Sequence, residues 1–198
     1  MRRYGLFLVL FVVLLYVSAC QERAKEPKML EAEEEHVLEV DKAEKESMIE
    51  IPLHDQSGIE VGSATFTESK GGVQIMVEAH HLTAGKHGIH IHEKGICEPP
   101  TFASAGAHFN PENKLHGFKN PKGPHAGDLE NIEVAADGTV KAVVSSDRVT
   151  LQKGVSHSLY QEEGTSLIIH ADKDDYKTDP AGNAGDRIVC GVIVPPTS

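Results

Sequence analysis

From Ile59 to Val194 the chain carries short runs in which apolar residues recur at every second position, the period of a half-buried β-strand. Val73, Ile75 and Val77 alternate with Gln74, Met76 and Glu78, so one set faces a core and the other faces solvent. Ile59–Gly62 and Ala64–Thr67 follow a turn signal at Ser57-Gly58. Ile132, Val134 and the Val140–Val144 run flank Asp137-Gly138, which predicts a two-residue hairpin loop. Leu167-Ile168-Ile169 and Ile188–Val194 are apolar strands near the end. No long 3.6-residue periodicity interrupts them. Roughly eight short strands with turns between them predict one all-β sandwich or barrel over residues 48–198, long enough for one good core.

The pattern changes before residue 48. Arg2 and Arg3 precede an uncharged apolar run, Gly5 to Val17, that ends in Ser18-Ala19-Cys20. An apolar run this short is a signal-peptide core, since a membrane span needs about 20 such residues. The last four residues of the segment resemble the bacterial lipobox, in which the Cys is lipidated and the peptide before it removed. The other reading is an ordinary signal peptide with a chance Cys at the cleavage site. On the lipobox reading, residues 1–19 are a lipoprotein signal peptide, and the two acyl chains on Cys20 give a stable anchor. The protein is then exported and held by its lipid at the outer face of a bacterial cell membrane. Residues 20–47 are rich in Glu and Lys and lack Gly. They read as an acidic tether that, as a flexible coil, reaches on the order of 30 Å.

Two long segments break the strand rhythm, Glu93–Gly127 and Ala171–Gly185. Loops of this length without their own secondary structure are commonly functional. Between Gly85 and Asp128 lie His87, His90, His92, His108, His116, His125 and Asp128, framed by Gly and Pro. His90 and His92 alternate with Ile89 and Ile91, so a strand aims both imidazoles at one face. Neutral imidazole suits copper and zinc, and an added carboxylate suits a structural zinc. His36, His54, His80, His81 and His157 read as packing or surface residues.

Charge bounds the partners. The chain carries −11; removing residues 1–19 takes two arginines and no acid, leaving −13. That balance argues against nucleic acid. There are three cysteines. With Cys20 assigned to lipid, Cys97 and Cys190 remain as a pair in an oxidising compartment. A bridge between them would fasten the first long loop to the barrel; the alternative is two free thiols.

His87-Gly88-Ile89-His90-Ile91-His92, Ala107-His108-Phe109-Asn110-Pro111, His125-Ala126-Gly127-Asp128 and Gly182-Asn183-Ala184-Gly185-Asp186-Arg187-Ile188-Val189-Cys190-Gly191 resemble, in order and spacing, the signatures of copper–zinc superoxide dismutase. The resemblance covers about residues 48–196. It implies an eight-stranded Greek-key β-barrel with two long functional loops, and one copper and one zinc ion per subunit. It implies copper ligands His90, His92, His108 and His170, and zinc ligands His108, His116, His125 and Asp128, with His108 bridging. His87 and Asp174 match residues behind the ligands, Asp174 having Asp172, Asp175 and Asp179 as rivals. Arg187 matches a cation at the mouth of the copper channel, and His108 and Arg187 are the implied catalytic residues. Ala181 stands where many relatives carry a threonine beside that channel. The implied reaction converts superoxide anion to dioxygen and hydrogen peroxide by alternate reduction and oxidation of copper. Family branches pair through different faces, so both monomer and homodimer fit. A metal-binding lipoprotein without turnover and a structural surface protein are the competing functions; an intact ligand set argues for the enzyme.

Overall fold

The computed structural model describes residues 48–197; the segments read as signal peptide and tether, with Cys20 and His36, lie outside them. The described residues form nine strands: β1 Met48–Asp55, β2 Glu60–Ser69, β3 Gly72–Ala79, β4 Gly85–His87, β5 Ile89–His92, β6 Ile132–Val134, β7 Val140–Ser146, β8 Thr165–His170 and β9 Arg187–Val194. Among the described residues the one helical element is a 3-10 turn, Ala103–Ala105.

Seven strands pair antiparallel in the order β5-β8-β9-β1-β2-β3-β7, and β4 pairs with β6. The small sheet spans the two edges of the large one, because β4 runs on into β5 and β6 turns into β7. Consecutive strands skip over their neighbours: β3 pairs with β7, and β5 with β8. This is the Greek-key crossover. The runs Ile59–Gly62 and Ala64–Thr67 merge into β2, Met48–Asp55 adds the strand β1, which the apolar runs do not single out, and β4 is separated from β5 by Gly88. A Cβ there would stand 2.9 Å from the Cβ of Ala184, so the loop 171–185 closes on bare backbone at that point.

The alternation in β3 is realised, with Val73, Ile75 and Val77 buried and Gln74 and Met76 exposed. They join Leu53, Phe66, Ile89, Ile91, Leu129, Leu167 and Ile169 in the main core. Every residue of β5 and β8 is buried, because their inner faces meet the core and their outer faces lie beneath the first long loop. Ile168 on that outer face packs with Phe102, Ala105 and Cys190. The Asp137-Gly138 signal makes a three-residue loop instead of the expected two. Ala135 N–H donates to Thr139 O at 2.8 Å, and Gly138 takes φ +81°, which closes the extra residue.

Cys97 and Cys190 form a disulfide across a sequence separation of 93 residues. On the chain-entropy argument, closing a ring of that size in the unfolded state is worth about 4 to 5 kcal/mol. It fastens the first long loop to β9.

Candidate metal centre

β5 presents His90 and His92 on its outer face, with Ile89 and Ile91 in the core behind them. The first loop returns over this strand on backbone hydrogen bonds: Phe109 N–H to Ile91 O, Gly127 N–H to Phe109 O and Ile91 N–H to Gly127 O, each 2.8 Å. A Cβ on Gly127 would stand 2.2 Å from Ile91 O, so the approach requires glycine there. His108 is thereby set opposite His92 and Asp128 opposite His90. His170 arrives at the end of β8, its N–H donating to Gly88 O at 2.8 Å.

Two donor sets share one histidine. His90 Nδ1, His92 Nε2, His108 Nε2 and His170 Nε2 are all buried, and none has a hydrogen-bond partner. These four residues bring ligand atoms within 4.8 Å of one another. Isolated buried polar atoms are costly and rare, and four converging from two strands and a loop point to an ion. On the other side of His108, Asp128 Oδ1 lies 2.9 Å from His108 Nδ1, 3.1 Å from His116 Nδ1 and 3.2 Å from His125 Nδ1. Its Oδ2 accepts the backbone N–H groups of Gly117 (2.8 Å) and His125 (3.0 Å).

His90 also comes within 4.8 Å of His108, His116 and Asp128 in this second set. His125 fits better, since its Nδ1 also lies 3.4 Å from His108 Nδ1. Both His90 nitrogens are committed elsewhere, Nδ1 to the first set and Nε2 to Asp174.

Asp174 joins the two sets from behind. Its carboxylate lies 2.9 Å from His90 Nε2 through Oδ2 and 3.0 Å from His116 Nε2 through Oδ1. An acceptor on each Nε2 holds the proton there and leaves Nδ1 of both rings free to bind. Of the four acids in that loop, Asp174 alone takes this place. Asp179 instead accepts His116 N–H at 2.7 Å, and Asp175 caps the turn at Lys177 and Thr178.

His92 Nδ1 faces Gly106 O (3.0 Å) and His170 Nδ1 faces Gly185 O (3.2 Å). His87 is buried, with Nδ1 2.7 Å from His170 O and Nε2 2.7 Å from Thr83 O. Arg187 is half-buried at the start of β9 and donates to Phe102 O and Gly106 O, both at 2.7 Å. Gly106 O therefore serves both Arg187 and His92. Ala181 lies in the turn that presents Gly182, and its carbonyl accepts Ala184 N–H at 3.2 Å.

Burial sets the charge states of the first set. It pushes His90 down to about 3, with the nearby His108 adding to the effect, and His170 down to about 4. It lowers His92 and His108 as well. All four present neutral rings and open lone pairs near neutral pH. His116 in the second set behaves oppositely. Burial works against a charge on His116, but the carboxylates of Asp128 and Asp174 outweigh it and lift the ring to about 9. Burial also opposes ionisation of Asp128 and Asp174, and the surrounding imidazoles hold both well below the usual carboxylate range.

The sequence pattern described as Copper/zinc superoxide dismutase (SODC) matches residues 60–193. A Cu-Zn superoxide dismutase of Aquifex aeolicus is 50% identical over 140 residues, spanning 70% of this chain and 83% of that protein. The chain belongs to the copper/zinc superoxide dismutase family. A superoxide dismutase-like protein of Bacillus subtilis is 46% identical over 146 residues, 73% of this chain and 74% of its own. The crystal structure of a SOD-like protein from Bacillus subtilis superposes with a TM-score of 0.71 at 45% identity, covering 73% of this chain and 97% of that one. The Cu/Zn superoxide dismutase from Brucella abortus gives a TM-score of 0.61 at 31% identity, covering 74% and 99%. The family uses copper and zinc, and the two donor sets suit them: four neutral imidazoles on one side, three imidazoles and an ionised carboxylate on the other.

Some residues of the superoxide dismutase centre carry no local signal. Asn131 clamps Asp174 on both sides, its Nδ2 donating to Asp174 O (2.9 Å) and its Oδ1 accepting Asp174 N–H (2.8 Å). A separation of 43 residues hides that pairing in the sequence. Gly182, at φ +65°, makes room for Asp174: a Cβ there would overlap its Oδ1 and come within 2.7 Å of His116 Nε2. His54, His80, His81 and His157 stand apart from the centre, His54 half-buried and the others exposed.

Proposed function

We propose that this chain dismutates superoxide to dioxygen and hydrogen peroxide. His90, His92, His108 and His170 would hold copper. His108, His116, His125 and Asp128 would hold zinc. The observation that carries this reading is the convergence of four buried, partnerless imidazole nitrogens on one point, with the fourth ring shared by the Asp128 cluster.

Bound there, copper supplies one-electron redox chemistry, and zinc, which has no accessible second oxidation state, supplies only charge and orientation. The chain does the rest. His108 is fixed at Nδ1 by the second set, so its Nε2, whenever it is not donating to an ion, is the atom at which a proton can be held and handed to the departing peroxide. Asp128, bound by two backbone N–H groups and three rings, keeps that imidazole in one orientation. Asp174 keeps His90 and His116 in the tautomer whose Nδ1 is free. Arg187 offers a cation beside His92 and His170, where an incoming anion is attracted against the negative charge of the whole molecule. Two superoxide anions and two protons give one dioxygen and one hydrogen peroxide.

Export and anchoring through lipid on Cys20 belong to the same reading, supported by the Arg2-Arg3 start, the apolar run and the Val17–Cys20 resemblance. The ligand assignment is tested by metal analysis of purified parent and Asp128→Ala proteins. The parent should hold one copper and one zinc per chain, and the variant should lose zinc first while keeping copper. Equal zinc in both would contradict the assignment.

A further inference from the structure

The end of β3 carries two histidines that the buried centre does not use. His80 and His81 are both exposed. Their rings meet edge to face with centroids 4.5 Å apart, and their Nδ1 atoms are 2.9 Å from one another. Successive residues of a strand point to opposite faces, so a regular strand could not bring these nitrogens together. The left-handed backbone of His81, φ 63°, does so by swinging its ring back beside His80. Backbone hydrogen bonds fix both flanks: His80 N–H to Val61 O at 2.9 Å and Leu82 N–H to Gly138 O at 3.1 Å. The backbone that carries the two rings is therefore fixed on both sides.

The separation of the nitrogens has a chemical meaning. Two nitrogens each ~2.0 Å from one ion stand ~2.8 Å apart when they occupy neighbouring corners of a square, and ~3.3 Å apart in a tetrahedron. The observed 2.9 Å is that of an N–H···N hydrogen bond between the rings, and exchanging the shared proton for an ion at neighbouring corners of a square would leave the spacing almost unchanged. His80 also lines a shallow hollow with Glu50, Glu60 and Glu78. Glu78 pairs with Lys141, and the excess of carboxylates over lysine there favours a cation.

We propose that Nδ1 of His80 and Nδ1 of His81 chelate a divalent transition-metal ion at the surface, copper(II) foremost, in a site separate from the buried pair. Copper(II) is favoured because it prefers tetragonal nitrogen donors and binds such donors more tightly than neighbouring divalent metals.

The test uses the full-length protein already loaded with copper and zinc, titrated with copper(II). Parent protein is compared with His80→Ala, His81→Ala and, as a control, His157→Ala. The parent and the control should bind an additional copper(II) whose electron paramagnetic resonance shows coupling to two nitrogens. Both alanine variants should lose it, with superoxide turnover and the loaded metals unchanged. Because the comparison is between parent and variants, the result stands whatever occupies the buried centre. If the parent takes up no additional copper, the two rings share only a proton and the proposal falls. If the additional copper persists in both alanine variants, it sits elsewhere and the proposal falls equally.

Discussion

Asp174→Ala removes the carboxylate that holds Nε2 of both His90 and His116. Asp174 is 2% exposed, so no water replaces it readily, and two buried imidazole N–H groups lose their acceptor. Each such loss costs about 1 to 3 kcal/mol, so the metal-free variant should be about 2 to 6 kcal/mol less stable than the parent. The metal-loaded protein should suffer differently. Residues that orient metal-binding histidines typically account for 10–100-fold in affinity, and here one residue orients a ring in each set. Copper and zinc affinities should therefore both fall, each by roughly 10–100-fold. Asp174→Asn should fall between, because one amide oxygen can accept from a single Nε2 while its NH2 faces the other. Competition against graded chelators gives the two affinities, and urea melts of metal-free protein give the stability. Parent-like affinities and stability in both variants would refute the idea that Asp174 links the two sets.

His90→Ala should abolish superoxide turnover while the metal-free fold survives, since the core side of β5 is carried by Ile89 and Ile91; full activity with copper bound would remove His90 from the site. The metal-free protein should be most stable near pH 6.5. Below that, the unfolded chain takes up protons that His90, lowered to about 3, and His170, lowered to about 4, refuse when folded, so stability falls from pH 6.5 toward 4. Above it, the contribution of His116, raised to about 9, is lost as pH climbs from 6.5 through 9; melts at pH 4.5, 6.5 and 8.5 that coincide would contradict this. Arg187→Ala should slow turnover and weaken its decline with added salt, which screens attraction beyond about 8 Å at 0.15 M. Arg187→Lys should keep the charge and part of the rate, and identical salt dependence in all three proteins would move the steering elsewhere.

What was legible in the sequence was whatever depends on neighbours along the chain. The alternation of Val73, Ile75 and Val77 announced a strand, and Ile89-His90-Ile91-His92 announced two ligands on one face of another. The reach of Arg187 was not legible. Read as a cation at a channel mouth, it also spends two N–H groups on Phe102 O and Gly106 O. That follows from the left-handed Phe102 and a loop tied down by Cys97, neither of which has a local cue. Lys173, on the loop that follows His170, does not join Arg187 either: it lines a hollow with Lys86, Asp172 and Asp175, whose lining excludes Arg187. The choice of Asp174 among four neighbouring acids likewise depends on Asn131 and Gly182, which only the folded topology brings to it.

The decay of superoxide, followed directly by its absorbance in the presence of protein loaded with zinc alone and then with copper and zinc, would decide the matter. The second-order rate should appear only with copper, scale with copper bound in the site, and vanish in His90→Ala. A copper-loaded protein with intact zinc that leaves the spontaneous decay unchanged would show that this cage holds metal without turning over superoxide.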